Sequence, residues 1–561
     1  MSLNQPEWLP RLLDYLKRRS LVELFALSCS IMIPVGFMLY THEVWEDFFI
    51  TYRHSENLVH GHGLVFTVGE RVHGFTSVLN TLLPAFFAWI TQAKSFEVPL
   101  LLYQIVSLTG LCLAVFLINR ETSESMENAP VPRLLNALFP LLVVLEIKIT
   151  AFTMNGQEAG LMLGFLAAIF VLAYRQWPRE RVVFGGICIA GLMYTRPDGF
   201  VYAGAIAMSA VAFAPGRRSG LIASLVRSIV WGILLYLPWM IFTHFYYGSF
   251  IPHTIVAKAG VTSFDAPAFG LFAPVVAGFA ALPARLCGVL SGVYDFQIIV
   301  QGAWPKWSHD IAFGLECMAV TYWLIPTRDR LGRMASLCSF LILCYLTYAS
   351  LIAYSCPWYY PSLSFLSLLT LLRMIVTLPR HWGLKAADFI SVVMAGGVIL
   401  FLAFIFSYSL RGLRLKQEVI DSGNRREIGL WLKANVADEE TVYLEPLGYI
   451  GYFSQRKMRD WPGLVSPEVV AARRKIGHIN YPWGNYLWAK VAEEIKPDWI
   501  VARPVEVDQI KASAQLSRDY QLVRVFNVSE QIIAGGEFYG SFITYNDAVF
   551  EIFRRKETGS H

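Results

Sequence analysis

The chain of 561 residues is 55% hydrophobic and 14% aromatic with only 16% charged residues, far more apolar than a soluble globular protein. It reads as a polytopic membrane protein, and a net charge of +5, with Lys and Arg set in short loops that alternate along the chain, gives no nucleic-acid footprint. The eight cysteines (Cys29, Cys112, Cys188, Cys287, Cys317, Cys338, Cys344 and Cys356) fall in or beside apolar segments and imply neither a disulfide framework nor a CxxC metal site.

Arg11, Lys17, Arg18 and Arg19 precede the first apolar run, and no small-residue cleavage site follows. The sequence therefore predicts an uncleaved span over about 21 to 40 with its N-terminal side in the cytoplasm. Residues 41 to 83 come next and carry Glu43, Glu46, Asp47, Arg53, His54, Glu56, His60, His62, Glu70, Arg71 and His73, interleaved with Phe48, Phe49, Ile50 and Tyr52. Charge in hydrocarbon costs several kcal/mol per group. This run is therefore a solvated loop or, as its pattern predicts, a set of short amphipathic helices lying on the membrane over a polar pocket.

Val78 to Gln92 contains Pro84 and is only about 15 residues long, short of the roughly 20 that a bilayer needs. It reads as a juxtamembrane helix, because counting it as a span would put later basic loops on the wrong side. Further spans are predicted near 99–119, 134–150, 158–174, 221–245, 311–326, 335–354, 361–378 and 386–409. Residues 182–214 form two short apolar halves broken by TRPDG, a Pro and two charges that must face a cavity rather than lipid. A moderately apolar stretch at 271–290 reads as interfacial. With the broken hairpin counted as two, the total is about eleven spans, and the C-terminal end lies outside.

From about 411 the composition turns polar. Helical patterns at 425–435, 467–476 and 488–495 alternate with β-rich runs at 441–444, 499–501, 522–526 and 548–553, which predicts a small α/β domain. The expected architecture is mainly α. A polytopic transmembrane bundle covers 1–410, with 41–98 as its first outer loop bearing juxtamembrane helices, and a soluble α/β domain covers 411–561 on the outer side.

Under this topology four polar clusters share the outer side: Glu46/Asp47, Asn155 to Glu158, Arg196 to Asp198, and His244 to Lys258. Trp358, Tyr359 and Tyr360 add an aromatic one. Such a convergence suits glycosyl transfer: a carboxylate takes the proton of an attacking hydroxyl, cations offset charge on a departing phosphate, and aromatic faces stack on a sugar. It suits a transporter or flippase of lipid-linked sugars equally well. A transporter, however, predicts inverted repeats and polar residues at mid-membrane depth, whereas these charges gather on one side. A binding module on a membrane anchor would need one span, not eleven.

The motifs separate these readings. WEDFFITYRHSENLVHGHGLVFTVGERVHGFTS resembles the first outer loop of bacterial GT-C membrane glycosyltransferases related to mycobacterial arabinofuranosyltransferases, which reads approximately DDAYITxRYAxNLxxGxGLVFNPGExVEGYTSPLW. NGQEAGLML is similar to that family's GMETPLF, TRPDG follows in order, and YYGSFIPHTIVAKAG is similar to YGxxxPNTxxAK. EPLGYIGYFSQRKMRDWPGLVSPEVV is similar to the start of the family's outer domain, so five ordered blocks extend over about 450 residues. The resemblance departs at Glu46, where the family has Asp, at His73 for Glu, at Asn80 for Trp and at His253 for Asn.

The resemblance implies a GT-C-type bundle that uses a polyprenyl-phosphate sugar donor, with D-arabinofuranose favoured and a hexose or another pentose as the alternative. Asp47 matches the family's general base. Arg196 and Lys258 are the implied phosphate partners, with Arg71 and His253 behind them. Glu46, Glu158, Asp198, Trp358, Tyr359 and Tyr360 are the implied substrate contacts. Plainer roles compete: Arg196 pairing with Asp198 to close a hairpin, Lys258 snorkelling, Glu158 capping a helix, and the aromatics forming a membrane belt. The acceptor implied is a glycan, a lipid or a protein. No cofactor is implied. A divalent metal stays open on Glu46, Asp47 and the nearby histidines, but the loop has no DxD, and the spacing of His54, His60, His62 and His73 matches no zinc site.

Overall fold

The computed structural model describes residues 21–124, 130–216, 218–259, 273–293, 304–352, 356–477, 486–535 and 546–556. Arg11, Lys17, Arg18 and Arg19, which set the predicted orientation, lie outside the described residues. Helix α1 (Leu21–Thr41) leads into α2 (Glu46–Val59) and α3 (Val78–Thr91), and then α4 (Glu97–Glu124) crosses the bundle. A bent run follows: α5 (Pro130–Ala137), α6 (Phe139–Leu145) and α7 (Ile147–Met154). The bend of 57° falls at Glu146. Its carboxylate accepts from the Ile149 amide at 2.8 Å and pairs with Lys148 at 2.8 Å, so the break carries its own cap.

The bundle continues through α8 (Ala159–Tyr174), α9 (Val182–Thr195), α10 (Gly199–Ala212), α11 (Arg218–Tyr247), α12 (His253–Lys258), α13 (Ala273–Leu290), α14 (Lys306–Thr321), α15 (Arg330–Ile352), α16 (Pro361–His381) and α17 (Ala387–Leu415). α16 is its axis: 94% of its apolar window is buried inside the protein. Two of its buried polar groups are paired, Arg373 with Asp329 at 2.8 Å and Ser367 with both Ser339 and Glu316 at 2.9 Å. α4 and α8 approach backbone to backbone at Gly160, where a Cβ would collide with the Ser107 carbonyl, the close approach that small residues permit between membrane helices.

Among the described residues six helices are long and apolar enough to cross a membrane, or seven if the bent run counts as one. α3, α8 and α10 are shorter apolar helices. The expected total of eleven leaves α3 out and counts α8, α9, α10 and α14, of 16, 14, 14 and 16 residues. α13 is a continuous helix packed on α14 and α15.

α17 does not stop where the composition changes. A π-helical stretch, Lys416–Arg425, carries it into α18 (Arg426–Asn435), so one continuous helix joins the bundle to the C-terminal unit. That unit contains β1 (Thr441–Leu444), α19 (Leu447–Ser454), β2 (Lys457–Asp460), α20 (Pro467–Ile476), α21 (Tyr486–Ile495), β3 (Trp499–Ala502), β4 (Tyr520–Asn527) and β5 (Val549–Arg555). The strand order is β2-β1-β3-β5-β4, with β2, β1 and β3 parallel and the last two antiparallel. β3 (WIVA) is buried along its whole length and β1 (TVYL) at three of four positions, as inner parallel strands require. β2 was not expected from the sequence. KMRD is an edge strand buried only at Met458 and Asp460, too polar to stand out.

In the first loop, nine residues of α2 from Phe48 to Asn57 are buried, between α3 and the C-terminal unit. Its polar groups find partners there. Arg53 donates to the carbonyls of Gly451 and, at 3.0 Å, Arg456. Glu56 accepts from Tyr452 at 3.1 Å, and Glu46 pairs with Arg425 at 2.6 Å. Ile50 and Phe66 enter the apolar core of the sheet itself, beside Val442, Leu444 and Met458.

Candidate active site

A cavity of about 380 Å³ opens where α2, α12, the TRPDG turn and the aromatic turn meet. Each charged lining group stands at a helix end or on a short helix, where the backbone leaves the regular bundle. Asp47 is in the first turn of α2, Glu158 precedes α8, Arg196 and Asp198 occupy the break between α9 and α10, and Lys258 ends α12. Trp358 and Tyr359 come from a single 3₁₀ turn, Pro357–Tyr359.

Arg196 is held as a fork. Its Nε and a terminal nitrogen donate to the two oxygens of Asp198 at 3.0 and 3.1 Å, and its other terminal nitrogen reaches Glu158 at 3.5 Å. The guanidinium lies over the Tyr359 ring at 4.1 Å, and Tyr345 donates to Asp198 at 3.4 Å. This arrangement both closes the hairpin and puts a neutralised cation in the cavity wall. Asp47 and Lys258 differ: among the described residues neither has an ion pair or side-chain hydrogen bond. Burial pushes the Asp47 carboxyl above its usual range, against Lys258, while Glu445 adds to the rise. Lys258 is held above the usual lysine range, because Tyr359, Cys356 and Asp47 outweigh the burial that opposes its charge.

The other expected site residues are placed elsewhere. Glu46 turns to the C-terminal unit, accepting from the Gly448 amide at 2.6 Å as well as from Arg425, and burial pushes it up to about 7. Arg71 is exposed and lies over the Tyr246 ring at 5.1 Å. The amide of His253 donates to the His73 carbonyl at 2.9 Å, and its ring is not part of the lining. Tyr360 packs in the bundle core. His54 and His73 are buried, and burial lowers them to about 4 and about 3, so both are neutral rings of the loop's core. Among the described residues no three His, Cys, Asp or Glu side chains come together as a metal site.

Thr51, Ser77 and Leu464 also line the cavity; they lie inside the motif blocks but were not singled out, and Tyr345, inside an apolar span, gave no sequence signal. Glu445, close enough to act on Asp47, belongs to the same unit and pairs with Arg503.

Comparison with known proteins agrees with this architecture. A family described as a domain of unknown function (DUF8728) matches residues 414–550. The terminal β-(1→2)-arabinofuranosyltransferase of Mycobacterium tuberculosis is 28% identical over 252 residues, a match that spans 41% of this chain and 39% of that protein. The apo crystal structure of ArnT from Cupriavidus metallidurans aligns with a TM-score of 0.51 at 11% identity, covering 94% of this chain and 97% of that one. The Archaeoglobus fulgidus oligosaccharyltransferase, in complex with Zn and sulfate, aligns at 0.51 and 14% identity, covering 86% and 68%. The chain therefore has the GT-C fold, with a small C-terminal sheet, and resembles a mycobacterial arabinofuranosyltransferase over part of its length.

Proposed function

We propose that this protein is a multi-pass membrane glycosyltransferase that moves a sugar from a polyprenyl-phosphate donor to an acceptor hydroxyl in one inverting displacement, on the outer face of the cytoplasmic membrane. The observation that carries the reading is the presence in one cavity of a half-buried carboxylate, Asp47, and a half-buried lysine, Lys258, neither of which has an ion-pair partner among the described residues. The acceptor oxygen attacks the anomeric carbon while its proton passes to Asp47. The carbon–oxygen bond to phosphate breaks, and its electron pair leaves with the polyprenyl phosphate. Lys258 offsets the charge on the departing phosphate. Arg196 is committed to Asp198 and Glu158, so it supports that charge from the wall rather than by a bidentate grip. Trp358 and Tyr359 offer aromatic faces to the sugar ring.

D-Arabinofuranose is the sugar this reading favours, supported by the partial match to the mycobacterial enzyme. The test is transfer by the detergent-purified chain from a synthetic polyprenyl-phosphate arabinofuranose over a panel of acceptors, with Asp47→Asn alongside. The expected result is turnover that falls about 10²- to 10⁴-fold in the variant while donor binding persists. A protein that bound donor and only moved it across liposome membranes would overturn the enzyme reading. A protein that bound a hexose donor but not this one would change the sugar alone.

A further inference from the structure

The two charged cavity groups carried on short loop helices, Asp47 on α2 and Lys258 on α12, are both fastened from the C-terminal unit. Arg473 of α20 is 7% exposed and stacks over Trp461 at 5.2 Å. One terminal nitrogen of its guanidinium donates to two carbonyls, Ala257 at 2.8 Å and Pro462 at 2.7 Å. Ala257 is the residue before Lys258, so this contact ties the last turn of α12 to the loop that follows β2. On the other side Arg425 and the Gly448 amide hold Glu46, the residue before Asp47. Arg196 and Glu158 need no such help, because they stand at the ends of bundle helices.

We propose that the C-terminal α/β unit works as a positioning clamp for the active site, with Arg473 setting the place of Lys258 through the Ala257 carbonyl and Arg425 setting that of Asp47 through Glu46. This rests on the roles given above to Lys258 and Asp47. A carbonyl held by a buried guanidinium fixes the backbone more firmly than a six-residue helix fixes itself, since so short a helix has almost no stability of its own. A misplacement of about 1 Å at a reacting centre costs on the order of 10²-fold in rate, so the clamp acts on turnover without touching substrate. Arg473 and Arg425 are positioning residues in this scheme.

The test uses the purified full-length chain carrying Arg473→Met, Arg473→Lys, Lys258→Gln, or Arg473→Met with Lys258→Gln. Arg473→Met is expected to lower kcat/KM about 10²-fold. Arg473→Lys, which keeps one charged donor, is expected to recover part of it. The double variant is expected to be no worse than Lys258→Gln alone, because the arginine acts through the lysine. Losses that multiply in the double variant would overturn the proposal. Backbone hydrogen exchange supplies a readout independent of activity. In Arg473→Met the amides of 253–258 should exchange faster while β1 and β3 stay protected. Unchanged exchange at 253–258, or faster exchange through β1 and β3 as well, would overturn the clamp. Should the wild type transfer no sugar at all, the functional reading fails and the exchange data still decide the clamp.

Discussion

Asp47 and Lys258 make opposite demands on their surroundings. Burial raises the Asp47 carboxyl, which strengthens it as a base and moves the acidic limb of a kcat/KM profile above the pH near 4 at which an ordinary carboxylate titrates. The same shift affects stability. A carboxyl that holds its proton more tightly when folded stabilises the protein at low pH, and that contribution is lost as pH rises from its unfolded value through its folded one. Asp47→Asn is therefore expected to gain more in melting temperature over the wild type at pH 8 than at pH 5. Lys258→Gln should lose a charge-assisted contact to phosphate, worth about 1.5 to 3 kcal/mol, and weaken donor binding about 10- to 100-fold in a direct binding assay. The Glu-Asp pair was legible in the sequence, with Asp47 preferred as the base, but not that Glu46 turns out of the cavity. Glu46 and Asp47 are neighbours in one helical turn, and their division of labour comes from Arg425, 379 residues away from Glu46.

Among the elements, the long spans could be read directly from apolar length, because each needs only its own residues to satisfy its backbone. The break at TRPDG was legible for the same reason: a Pro and two charges cannot be hidden in lipid. The burial of α2 was not legible. Its alternation of charge and aromatic side chains is what a surface helix shows, and it is buried because α3 packs on one side of it and α19 brings matching polar groups to the other. The approach depends on Gly448, where a Cβ would run into the Glu46 carbonyl. Gly448→Ala is expected to cost about 1 to 3 kcal/mol, read as a lower melting temperature, and to lower turnover beyond what the stability loss alone would give. β2 escaped notice because an edge strand of four residues buries only two side chains.

At the scale of the whole molecule, bundle and sheet are not independent. Ile50 and Phe66 of the first loop belong to the same apolar cluster as Ile428, Val442, Met458 and Phe550. A fragment of residues 411–561 is therefore expected to be poorly folded alone, with a broad thermal transition and exposed apolar surface that binds a hydrophobic dye. Arg425 stands between Glu46, Asp421 and Asp547, nearly excluded from solvent. Arg425→Met would leave Glu46 without a cation while Asp421 keeps Lys416 and Asp547 keeps Arg503, and a loss of about 3 kcal/mol is expected in denaturant titration. The composition break at 411 was readable in the sequence, but the helix that runs continuously across it from Ala387 to Asn435 was not, because its polar second half carries no apolar signal.

That shared core has a consequence for how the protein is made. A ribosome adding about 5 to 20 residues per second needs roughly 20 to 75 seconds to travel from Glu46 to Arg425, 379 residues later. Throughout that interval the first loop has already emerged, with Phe48, Phe49, Tyr52 and Arg53 lacking the surface that later covers them. Nascent chains stalled before residue 425 should thus present this loop to proteases, and chains released after the sheet is complete should not. The order of synthesis leaves the candidate site open on the side of Leu464 until the C-terminal unit that carries it has been made.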